Sequence, residues 1–138
     1  MINLKYVLSS AALLASLTSI PAQAAEIDMK PGMWQWTMTT EMKGMPFALP
    51  PTTYSSCTTT EDLVPKQPKE PKGCKMLENK ISGNDVTWKM ECNGEGGQAL
   101  SEGKMTYSGT TAKGEVQVTT QGMAMTSKIN GHRTGECK

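Results

Sequence analysis

Four cysteines, one histidine and an excess of methionine carry whatever chemistry this chain can perform. Cys57, Cys74, Cys92 and Cys137 are separated by 17, 18 and 45 residues, with no C-x-x-C pair of the kind that grips zinc. An even count in a small exported domain reads instead as two disulfides. His132 is the single histidine, so Ser-His or Cys-His catalysis would have to run through it. No G-x-S-x-G nucleophile elbow accompanies it, and P-loop, dinucleotide and HExxH signatures are missing from the sequence. Glu91 falls on a polar strand face and Glu95 in a glycine loop, so the two make solvated surface rather than a carboxylate pair. The residues therefore suggest no catalytic group and no cofactor, and a binding role rather than an enzyme.

Methionine is the compositional oddity: eleven residues stand against one phenylalanine. Met38, Met42, Met90, Met105, Met123 and Met125 fall on expected inner strand faces, where an unbranched side chain fills a core in place of Leu or Phe. That is the first reading. Met42-x-x-Met45 and Met123-x-Met125 also cluster thioethers, and soft sulfur suits Cu(I), so a copper site is the second. A third is a loosely filled cavity for a small apolar ligand, with Trp34, Trp36, Trp88, Met38 and Met90 as core or lining residues.

The elements that must position these groups begin after an N-terminal export signal. Lys5 gives a positive start, Tyr6 to Ile20 an apolar run, and Ala22-Gln23-Ala24 an A-x-A site. Cleavage is expected between Ala24 and Ala25, leaving residues 25–138 as a single domain that is periplasmic or secreted. The apolar run is too short for a membrane anchor, and no transmembrane segment is expected after cleavage. With Lys5 gone, the remaining 13 Lys and Arg balance 13 Asp and Glu. A neutral chain of interspersed signs has no basic patch for nucleic acid.

Period-two alternation dominates the domain. Trp34, Trp36, Met38, Thr40 and Met42 share one face of a first strand, and Thr52 to Cys57 forms a short second. Thr58 to Glu61 has a capping-box pattern that predicts one helical turn near residues 59–64, stopped by Pro65. Lys66 to Gly73 reads as an exposed loop. Cys74 to Cys92 reads as a hairpin about Gly83-Asn84, with Leu77 and Ile81 inward on one strand and Val86, Trp88, Met90 and Cys92 inward on the other. Three further strands follow: one placing Ser101, Gly103, Met105 and Tyr107 on one face, one with Val116 and Val118, and one from Met123 to Ile129. The expected fold is all-β: an antiparallel meander of about seven strands curled into a barrel or half-barrel, with a β-sandwich as the alternative.

Two considerations pull the cysteine pairing in opposite directions. A Gly83-Asn84 turn pairs residues whose numbers sum to 167, so Lys75 faces Cys92, and Cys74 points to the opposite face from Cys92. A meander, however, brings Cys137 nearer to Cys57 than to Cys92, and one bulge would restore the parity. The preferred pairing is Cys74–Cys92 with Cys57–Cys137. The alternative, Cys57–Cys74 with Cys92–Cys137, stays open.

The pattern as a whole resembles a family of small exported bacterial proteins known as domain of unknown function 3617. The resemblance rests on Lys30-Pro31-Gly32 and Trp34, Pro50-Pro51 ahead of Cys57, Cys74-Lys75, and Ser82-Gly83-Asn84. It continues through Trp88-Lys89-Met90-Glu91-Cys92 and Tyr107-Ser108-Gly109 to the closing Gly131-x-Arg133-x-Gly135-x-Cys137. It implies export and a mostly β fold but supplies no activity and no site residues. The expected partner is a small apolar ligand or another envelope component.

Overall fold

A computed structural model describes residues 26–47, 49–65 and 73–138. The expected signal segment, its cleavage point and most of the Lys66–Gly73 loop lie outside the described residues. Among those described, seven strands form one antiparallel sheet: β1 (Gly32–Met42), β2 (Thr52–Thr58), β3 (Cys74–Ser82), β4 (Asp85–Gly94), β5 (Gly97–Ser108), β6 (Thr111–Thr120) and β7 (Met123–Gly135). β7 runs further than the alternation of its apolar residues suggests, because Gly131 to Gly135 continues the ladder.

The strand order is β2-β1-β7-β6-β5-β4-β3. Every pair expected of a seven-stranded meander barrel is made except one, β2 with β3. β1 pairs with β7 along ten positions, joining the first strand to the last. The sheet is therefore an unclosed barrel with its seam between β2 and β3, and a single sheet rather than a sandwich. Curling is required by the side chains. Trp34 on β1 and Tyr107 on β5 are three strands apart, about 14 Å in a flat sheet. Their ring centroids are nevertheless only 5.7 Å apart.

No helix forms at residues 59–64. Asp62 N donates to Thr59 O (3.1 Å) and Thr59 bridges Asp62, so the capping-box residues make a tight reverse turn. Its continuation is pinned inward: Leu63 and Val64 are buried, and Tyr107 Oη donates to Leu63 O at 2.5 Å. Burial of Leu63 and Val64 leaves too little chain for a helix before Pro65. The segment crosses the seam instead.

The expected parity conflict in the β3–β4 hairpin is resolved by one residue. From Ser82↔Asp85 to Glu78↔Lys89 the register follows the sum of 167, then Leu77 is skipped and Met76 pairs with Met90. Beyond this bulge Cys74 and Cys92 are direct partners, and they are bonded. Leu77 and Ile81 were expected inside; Leu77 is the bulged residue, while Ile81 keeps the expected register opposite the buried Val86. Both are exposed on β3, an edge strand that also carries Lys75, Glu78 and Lys80. A bulge and charges on an open edge discourage further strand pairing. Cys57 and Cys137 form the second bond, tying the end of β2 to the tail of β7.

Candidate functional site

The concave face divides into a packed end and an open end, and register shows why. Across the packed end, Tyr54, Trp36, Gly131, Ala112 and Tyr107 are successive cross-strand partners on β2, β1, β7, β6 and β5. Glycine and alanine sit between two large rings, so the rings can lie down over the intervening strands. A Cβ on Gly131 would come within 2.3 Å of the Trp36 ring, which therefore occupies that space. Trp34 and Trp36 stack with centroids 5.4 Å apart, and Tyr107 meets both edge-on. Both indoles are satisfied: Trp34 Nε1 donates to Lys30 O (3.1 Å) and Trp36 Nε1 to Ser56 Oγ (3.0 Å). Burial pushes the Tyr107 phenol well above its ordinary range, with the Asp62 and Tyr54 charges adding to it.

The same end is capped by the chain before β1. Asp28 N donates to Asn84 Oδ1 in the β3–β4 turn, Gly109 N donates to Asp28 O, and Lys30 N donates to Gly109 O in the β5–β6 turn. Met29 is buried beneath this lacing. Arg133 Nε donates to Pro31 O at 2.8 Å, and the guanidinium also pairs with Glu136.

The open end is built differently. Trp88, Gly103, Val116, Ser127 and Thr40 are successive partners on β4, β5, β6, β7 and β1. Trp88 lies over Gly103, whose absent Cβ would come within 2.2 Å of its ring, but no aromatic ring returns from the β1 side in this row. Thr40 and Ser127 instead bond each other through their hydroxyls at 2.8 Å. The result is a recess of about 340 Å³. Trp88, Val116 and Ile129 are among its lining, with Met38, Met90, Ala99, Ser101 and Val118 further along the strands. Val64 and Pro65 border it from the seam, and the Cys74–Cys92 disulfide is part of the wall. No titratable side chain lines it among the described residues.

Of the five residues singled out as core or lining, Trp88, Met38 and Met90 reach the recess. Trp34 and Trp36 are fully buried in the packed end and do not. Ser101 and Ser127 fall on the inner faces that alternation gives them, but neither they nor Ala99 were expected to line a space, which their shortness creates. The available signal was Ser101 and Gly103 ahead of Met105 on one face, small residues where the other end of the strand has large ones. His132 is exposed on β7 at the packed end, opposite Gln35 and Thr111, away from the recess. Glu91 lies partly buried on β4 and Glu95 in the exposed β4–β5 turn.

The four candidate copper methionines sit at the open end. Met42 and Met125 are half-buried direct partners, whereas Met45 and Met123 are 50% and 63% exposed. Met123 thus leaves the inner core expected for it, because it flanks the β6–β7 turn.

Among the described residues no helix is long and apolar enough to cross a membrane. No curated protein and no solved structure matches the chain. A family model described as "Protein of unknown function (DUF3617)" matches residues 29–137, from the buried Met29 to the bonded Cys137, and the chain belongs to that family.

Proposed function

We propose that the protein is an exported, periplasmic or secreted binding domain that holds a small apolar ligand, or the apolar part of an envelope component, in the open-end recess. The recess carries this reading. Its volume is within the ~300–1,000 Å³ of ordinary ligand sites, and its wall is apolar with only two serine hydroxyls. Binding rather than catalysis is supported by that wall, whose described residues offer a transition state no titratable acid or base. Export is supported by the A-x-A site and by two disulfides in a small domain. Occupancy would set the ligand against Trp88 and leave the Trp34–Trp36 stack untouched.

A terminally brominated long-chain alcohol tests this, since its heavy atom quenches a tryptophan in contact. The expected result is saturable quenching, mostly lost in Trp88→Phe. Absence of saturable quenching, or equal quenching in Trp88→Phe, overturns the reading.

A further inference from the structure

Two methionine pairs far apart in sequence meet at the rim of the open end. Met42 on β1 and Met125 on β7 are direct cross-strand partners, so their Cβ atoms are about 5 Å apart on the concave face. Met123, two residues before Met125, points to the same face by the period of the strand. Lys43 N donates to Ala124 O (3.3 Å), carrying the β1–β7 ladder to the residue between Met123 and Met125. Gly44 then adopts a left-handed φ of 92°, and the turn closes with Met45 N donating to Met42 O at 3.2 Å. All four methionines thus lie within three residues of a single cross-strand pair, Met42 with Met125.

Core filling does not account for this group, because Met45 and Met123 are 50% and 63% exposed. We propose that Met42, Met45, Met123 and Met125 form a thioether site for Cu(I). Soft, uncharged sulfur selects a soft monovalent ion over Zn(II), Mg(II) or Ca(II). Among the described residues no thiolate or imidazole competes nearby: all four cysteines are in disulfides, and His132 lies at the other end of the sheet. Nor does any group of three His, Cys, Asp or Glu in them compete for harder ions. Glu41, next to Met42, is taken up by Lys128 (3.6 Å), and the exposed Lys43 between Met42 and Met45 brings a positive charge beside the site, which opposes a divalent ion more than a monovalent one. The site does not depend on the recess being a ligand site.

The test is anaerobic Cu(I) titration of the disulfide-intact protein against a chromophoric chelator of micromolar affinity. Wild-type protein should retain one Cu(I) per chain. Met45→Leu with Met123→Leu should weaken retention at least tenfold, as should Met42→Leu with Met125→Leu, while Met33→Leu leaves it unchanged. Leucine keeps the volume and apolarity, so a lost signal reports lost sulfur rather than lost folding or a lost greasy contact. The exposed pair also tolerates substitution if the half-buried pair does not. Thioethers carry no proton in this range, so retention should be constant between pH 5 and 8. No retention by wild type, unchanged retention in both double variants, or a tenfold fall towards pH 5 overturns the proposal.

Discussion

The packed and open ends of the sheet share seven strands and one inward alternation, and differ in what lies between their large side chains. At the packed end, Trp36 and Tyr107 approach from opposite sides over Gly131 and Ala112, and their rings fill the space between. At the open end only Trp88 comes in, over Gly103, and the far side offers Ser127 and Thr40. Glycine under an aromatic ring serves both ends, so the glycines do not decide which is solid. The decision lies in whether a second ring returns from the opposite strands. Stability is therefore concentrated at one end and capacity at the other. Each end also has its own disulfide, Cys57–Cys137 at the packed end and Cys74–Cys92 in the recess wall.

Removing each disulfide is the strongest way to probe this division. Loop closure predicts a loss of roughly 4.5 kcal/mol for Cys57→Ser with Cys137→Ser and roughly 3 kcal/mol for Cys74→Ser with Cys92→Ser. Their sequence separations are 80 and 18. Urea denaturation should show the larger loss for the packed-end pair, and apolar-probe binding should fall for the open-end pair even where folding persists. Equal binding loss in both would break the division.

Glycine substitution sharpens it. Gly131→Ala forces a Cβ into the Trp36 ring and should cost about 2–3 kcal/mol in a denaturant midpoint shift. Gly94→Ala, at the open end of β4 with nothing within 4 Å of the added carbon, should fall within about 0.5 kcal/mol of wild type. Comparable losses would mean that the rows are packed alike.

The seven strands are legible from alternation, and so are the inward faces of those that bury one; β3, an edge strand, buries neither face, so Leu77 and Ile81 mislead. The two disulfides are readable as a choice of pairings, but not as a decision. Leu77 holds that decision, and a single skipped residue leaves no trace in hydrophobic period. The missing helix at 59–64 has a tertiary cause: the Thr58–Glu61 pattern is a sound local signal, overridden by burial of Leu63 and Val64 under Tyr107. The recess was least visible. It is made by residues that are absent in bulk, and a serine facing inward looks the same in sequence whether a neighbour covers it or a ligand does.

Filling the recess is a gentler probe. Ser101→Leu places apolar bulk beside Met90 and Val118, its cross-strand partners. Thermal unfolding should show no change or a gain of up to about 1 kcal/mol, while probe binding is lost. A clear destabilisation would show that the space is already occupied by packing.

The smallest expected effect is acidic. Asp85, at the packed-end start of β4, is held below its ordinary carboxyl value of 3.8 by a hydrogen-bonded Lys104 (2.7 Å) and by the Thr106 hydroxyl (2.5 Å). A lowered folded-state value stabilises above the unfolded value and is lost as pH falls through the folded one. Asp85→Asn should thus slightly flatten the loss of stability below about pH 4 in acid titration by circular dichroism, and leave neutral-pH binding alone.

Methionines mark both ends, which makes their methyl groups the most direct reporters of the central claim. Met29 and Met105 are buried in the packed end, and Met38 and Met90 line the recess. In protein labelled with ¹³C at the methionine methyls, titration with a long-chain alcohol should move the Met38 and Met90 resonances saturably and leave Met29 and Met105 in place. No saturable shift at Met38 and Met90, or equal shifts at all four, would contradict an apolar ligand site confined to the open end.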